Sequence, residues 1–145
     1  MQDLPTYAGK YFSINEASAP PLPLVVPPIC VGASGEQVGL PLVGRMADAW
    51  NSFWYGDETK WIRKRDIVRA SAESAGRDPS SIEVILTVER PLPTNDQESE
   101  ALCTDLLRLK SLGVEHFVMD FGHPLTTEHI DRVVEQVLNP VRSVR

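Results

Sequence analysis

The feature that most restricts what this chain can fold into is a pattern that occurs four times: a short apolar, β-rich run, then a longer stretch with helical period. The first run is Ile29 to Val31, followed by a helix ending near Met46. The second is Ala47 to Asn51, followed by a polar helix from about Thr59 to Ala75, with Asp57 as its N-cap and Gly76 at the C′ position. The third, Ile82 to Val88, is rich in β-branched residues and nearly all apolar, as a strand covered on both faces should be. Its helix is expected to start near Thr94, with Thr94 and Gln97 at capping-box spacing, and to stop after Leu112 at Gly113, with Leu102, Leu106 and Leu109 along one face. The fourth run is Val114 to Phe121. The last helix opens at Thr126 or Thr127, carries the stripe Ile130, Val133, Val134, Val137 and Leu138, and is expected to end at Asn139-Pro140. Strands that alternate with helices pair in parallel, because each crossover returns the chain to the same end of the sheet. The expected fold is therefore α/β, with four βα units.

About half of the 12 prolines, Pro5, Pro20, Pro21, Pro23, Pro27 and Pro28, precede the first run. Residues 1–28 accordingly read as an extended, surface-hugging lead-in, with a short hairpin around Gly9, and residues 29–145 as the folded domain. Pro41 conflicts with a helix already under way, since it removes a hydrogen bond and crowds the preceding turn. A helix that begins late, with Pro41 in its first turn, resolves the conflict.

A chain of 145 residues suffices for one such domain. The net charge of −6 provides no basic patch for phosphate backbones, so nucleic acid is not an expected partner. The N-terminus lacks an export signal and no run approaches the roughly 20 apolar residues of a membrane helix, so the expectation is a cytoplasmic protein with no membrane partner. Cys30 and Cys103 match no metal-ligand spacing; they are expected to be reduced, mostly buried thiols, with no metal bound.

In parallel α/β structures ligands collect at the carboxyl ends of the strands. Gly32-Ala33-Ser34-Gly35-Glu36 occupies such a place, between the first strand and its helix. Small residues let a ligand approach the backbone, free amides can donate to an anion, and Ser34 adds a hydroxyl. The outline is that of a phosphate-binding turn, although a glycine-rich βα turn is as often a tight connection.

Four ordered blocks, PPICVGASGE, LPLVGRMADAWN, AGRDPSSIEV and LGVEHFVMDFG, resemble the C-terminal half of the bacterial luciferase-like monooxygenases, and TYAGKYFSINEA resembles the segment before the fifth strand of that family. The resemblance covers nearly the whole chain. It implies a partial TIM barrel, the second half of a (βα)8 barrel, and an oxidoreductase using reduced flavin mononucleotide (FMN) or coenzyme F420 on a small-molecule substrate. It also implies that Gly32, Ala33, Ser34, Gly35 and Glu36 contribute to the cofactor's phosphate site. The chain departs from the family pattern in having Ala33 where relatives commonly have a second glycine, Pro41 where they carry a helix-compatible residue, and four strands where a full barrel has eight.

Trp50 and Asn51, at the end of the second run, are candidates for a pocket at the barrel mouth, against the simpler reading of a core indole and a turn amide. The aromatic loop Phe53, Trp54, Tyr55 suits a substrate pocket or a buried interface. Glu89, Arg90, Asp120 and His123 fall on the same side; histidine is the residue type whose unperturbed side chain titrates near neutrality, so His123 is a candidate acid or base, though no residue at fixed spacing supports it, and no catalytic residue is assigned. His116 and His129 do not join it in a metal set. Lys60, Arg63, Lys64 and Arg65 read as a wet helix face. A half barrel exposes two strand edges and an apolar face, which predicts pairing with another copy, as a homo-oligomer, or with a complementary half-barrel chain. One copy is expected to be incomplete as an enzyme, and the alternative reading is a non-catalytic remnant or assembly subunit.

Overall fold

In the computed structural model, which describes residues 4–18, 20–21, 23–122 and 125–144, a two-residue hairpin precedes four parallel βα units. Strands β1 (Tyr7–Ala8) and β2 (Ser13–Ile14) pair antiparallel around Gly9, whose amide donates to the Phe12 carbonyl. In the lead-in, Tyr11, Phe12, Leu24, Val25 and Val26 all stand exposed.

The main sheet has the order β3-β4-β5-β6, formed by Cys30–Gly32, Ala49–Trp54, Glu83–Glu89 and His116–Asp120. Every neighbouring pair is parallel. Helices α1 (Gly39–Met46), α2 (Glu58–Ser74), α3 (Asp96–Ser111) and α4 (Thr127–Val133) alternate with these strands. Side chains alternate across the sheet, so Trp50, Ser52, Val84, Leu86 and Val88 are buried under the helices, whereas Cys30, Phe53, Val118 and Asp120 stand exposed on the other face. Leu40 and Val43 of α1, Trp61, Val68 and Ala72 of α2, Leu102, Leu106 and Leu109 of α3, and Val133 and Val137 complete one core.

Local chemistry accounts for the element boundaries. Helix α1 starts late, with Pro41 in its first turn where no intrahelical amide is needed. Its contact with α2 is so close that a Cβ on Gly44 would lie 2.4 Å from the Val68 carbonyl oxygen. Arg77 closes its far end, donating to the carbonyls of Gly44 (2.9 Å) and Ala47 (2.8 Å). Asp57 caps α2 through the Lys60 amide at 3.0 Å, and Gly76 takes φ +72°, the left-handed C′ conformation.

Several expectations need correction. The second strand is not Ala47–Asn51 but Ala49–Trp54, because Ala47 is still engaged in ending α1. Helix α3 is capped one residue later than expected: Asn95 accepts from the Glu98 amide at 2.9 Å, while the Glu98 carboxylate takes the Thr94 amide at 2.7 Å and the Thr94 hydroxyl at 3.0 Å. The last helix does not end at Asn139-Pro140 but passes through a π-helical turn, Val134–Leu138, into α5 (Asn139–Ser143). The π turn lets Pro140 enter at the start of a new α segment, where its missing N–H costs little. Cys30 is exposed on the open face rather than buried, and Cys103 is only half-buried. No helix among the described residues is long and apolar enough to cross a membrane.

Candidate functional site

Strand β3 delivers the chain to the carboxyl edge of the sheet, and residues 33–38 carry it into α1. The turn is anchored at three points. The Ala33 amide donates to the Asn51 carbonyl of β4 (3.4 Å), the buried Trp50 indole Nε1 donates to the Ala33 carbonyl (3.0 Å), and the Leu40 amide donates to the Gly35 carbonyl (2.9 Å). Between the anchors, the amides of Ser34, Gly35, Glu36, Gln37 and Val38 donate to no partner among the described residues. Helix α1 has no side-chain cap at Val38 and no acidic residue in its first turn, so its N-terminal end is left open to an anion. A Cβ placed on Gly32 or Gly35 would meet no atom within 4 Å, whereas one on Gly39 would lie 3.2 Å from the Ala33 Cβ. Gly39 is thus part of the fold, and Gly32 and Gly35 face open space.

The Glu36 carboxylate is engaged with α2. Its Oε2 accepts from Arg63 Nη2 of α2 at 2.6 Å. The pair gives a counter-charge to a carboxylate that would otherwise repel an incoming anion.

Trp50 lies away from the mouth: it is 0% exposed, faces the helices and stacks on Trp61 with ring centroids 6.0 Å apart. It therefore forms no wall of a pocket at the mouth and instead holds the turn from below. Asn51 sits within β4, opposite Gly32 in register, and its Oδ1 accepts from the Thr87 hydroxyl at 3.1 Å. His123 lies outside the described residues.

The remaining candidates separate. Glu89 and Asp120 are register partners at the ends of β5 and β6, and Asp120 Oδ1 accepts from the Gly122 amide. Arg90 reaches Asp105 at 2.9 Å. His116 begins β6, with Nε2 3.7 Å from Glu83 Oε2, and His129 accepts from the Thr126 amide in the capping box of α4. In the basic run, Arg65 is not on a wet face: its side chain is 16% exposed, lies over the Trp61 ring and donates to the Leu112 carbonyl. The Trp50–Ala33 bond and the Glu36–Arg63 pair join residues 17 and 27 positions apart, and no local pattern signals either.

A parallel sheet alternating with helices, with an open, glycine-containing βα turn at its carboxyl edge, defines an α/β protein. The luciferase-like monooxygenase family model matches residues 1–130, and the chain belongs to that family. It is 33% identical over 115 residues to the phthiodiolone/phenolphthiodiolone dimycocerosates ketoreductases of Mycobacterium tuberculosis and Mycobacterium bovis, an alignment covering 77% of this chain and 26% of theirs. The chain thus spans about a quarter of the length of these relatives. Among solved structures, an F420-dependent secondary alcohol dehydrogenase in complex with an F420-acetone adduct superposes with a TM-score of 0.55 at 19% identity, over 98% of this chain and 42% of that one. The four βα units are those of a partial (βα)8 barrel.

Proposed function

We propose that the chain forms the phosphate-holding part of a luciferase-like oxidoreductase that takes FMN or coenzyme F420 at the turn Gly32–Glu36. The observation that carries this reading is the row of undonated amides from Ser34 to Val38 beneath open space at Gly32 and Gly35. A phosphate fits that donor set: backbone N–H groups and the Ser34 hydroxyl supply the hydrogen bonds, and the uncapped end of α1 supplies the favourable dipole. Trp50 holds the Ala33 carbonyl, and Arg63 holds Glu36 out of the anion's way. When bound, the cofactor supplies a hydride or activates oxygen. The ketoreductase relatives and the alcohol dehydrogenase that shares the fold support a small-molecule carbonyl, or the alcohol corresponding to it, as the substrate class. Among the described residues, the outer edges of β3 and β6 pair with no further strand. The rest of the mouth is supplied by further strands, from the same polypeptide or from another copy.

Titration of the purified protein with FMN and F420, oxidised and reduced, tests this. Saturable binding is expected, weakened about tenfold by Ser34→Ala through loss of one hydrogen bond to a charged group, and more strongly by Gly32→Val. No binding of any of these ligands at millimolar concentration would overturn the proposal and leave a non-catalytic subunit as the reading.

A further inference from the structure

Beside the turn, but sharing no residue with it, a cleft of about 280 Å³ opens between the end of β4 and the first turns of α2. Its walls are Phe53, Tyr55, Asp57, Lys60, Trp61 and Lys64. Phe53 and Tyr55 lie two residues apart in extended chain and project to the same side. Their rings stack with centroids 6.2 Å apart and planes at 20°, yet they remain 43% and 74% exposed. Lys60 and Lys64, one helical turn apart on α2, line the same cleft. Lys60 Nζ is 3.1 Å from Asp57 Oδ2, which neutralises one of the two ammonium groups. Lys64 has no ion-pair or hydrogen-bond partner among the described residues.

From this we infer that the cleft binds a small aromatic carboxylate, its ring packed against Phe53 and Tyr55 and its carboxylate taken by Lys64. The size is at the small end for ligand sites, enough for one ring and its acidic group and too small for a whole nucleotide-like cofactor. Burying the ring removes apolar surface from water, and the carboxylate gives Lys64 a counter-charge, so the two halves of the ligand match the lining of the cleft. The inference stands apart from the phosphate turn, because the residues of the two sites do not overlap.

The test is a titration with 4-hydroxybenzoate, followed by quenching of tryptophan fluorescence, since Trp61 lines the cleft. Saturable binding is expected, weakened about tenfold in Lys64→Gln and about tenfold for the uncharged analogue 4-hydroxybenzyl alcohol, as loss of a charge-assisted bond dictates. Phe53→Ala should weaken binding of both probes. Gly35→Val, which blocks the phosphate turn, should leave 4-hydroxybenzoate binding unchanged. The inference is overturned by absence of saturation at tens of millimolar, by equal affinity for acid and alcohol, or by wild-type binding in Lys64→Gln or Phe53→Ala proteins with native circular dichroism.

Discussion

The Trp50 indole donates to the Ala33 carbonyl at 3.0 Å, joining a residue with no exposed surface to the turn at the edge of the sheet. Core packing and ligand geometry are coupled through this bond. Replacing Trp50 by Phe keeps an aromatic ring against Trp61 but leaves the Ala33 carbonyl without its donor. Stability should fall by about 1–3 kcal/mol, the cost of an unsatisfied part-buried polar group, and FMN or F420 affinity should fall with it. Denaturant unfolding alongside cofactor titration checks both; unchanged cofactor affinity would mean that the brace does not shape the turn.

Gly32 and Gly35 should behave in the opposite way. Neither has a positive φ, and a side chain at either would project into open space. Gly35→Val should therefore leave the unfolding free energy within about 0.5 kcal/mol of wild type, as for other surface positions, while abolishing cofactor binding. A large loss of stability would show that the turn is a tight structural connection.

Gly44 is the contrasting glycine. A Cβ added there would sit 2.4 Å from the Val68 carbonyl oxygen and 2.7 Å from the Ser71 Cβ, so Gly44→Ala must push α1 and α2 apart. The expected cost is about 1–3 kcal/mol, typical of overpacking, measurable as a lower denaturant midpoint. Wild-type stability would mean that the helices yield freely there.

The period of the sequence made the parallel βα order legible, because the strand runs and helix stops are local signals. Pro41 even indicated the late start of α1. The open turn at Gly32–Glu36 was visible for the same reason, since glycines after a strand and before a helix are contiguous. The simpler reading of Trp50 as a core indole holds, but its bond to the Ala33 carbonyl was not legible, because it joins residues 17 positions apart. Arg63 and Arg65 both look solvated in a polar helix; only packing turns one toward Glu36 and the other toward the Leu112 carbonyl. The π turn that carries the last helix past Pro140 leaves no mark in the residue pattern.

Edges at β3 and β6 that pair with no strand among the described residues, with Val118 exposed on the uncovered face, predict association. Light scattering on this chain at micromolar concentration should give a mass above the monomer's 16.1 kDa. A stable, well-folded species of monomer mass would contradict the expected pairing with another copy.

The most direct measurement is a two-dimensional ¹H–¹⁵N spectrum of the protein titrated with FMN and with F420. The amide signals of Ser34, Gly35, Glu36, Gln37 and Val38 should shift together and saturably, as free N–H groups acquire a phosphate acceptor. Saturable binding that leaves all of these amides unmoved would contradict the assignment of this turn as the phosphate site.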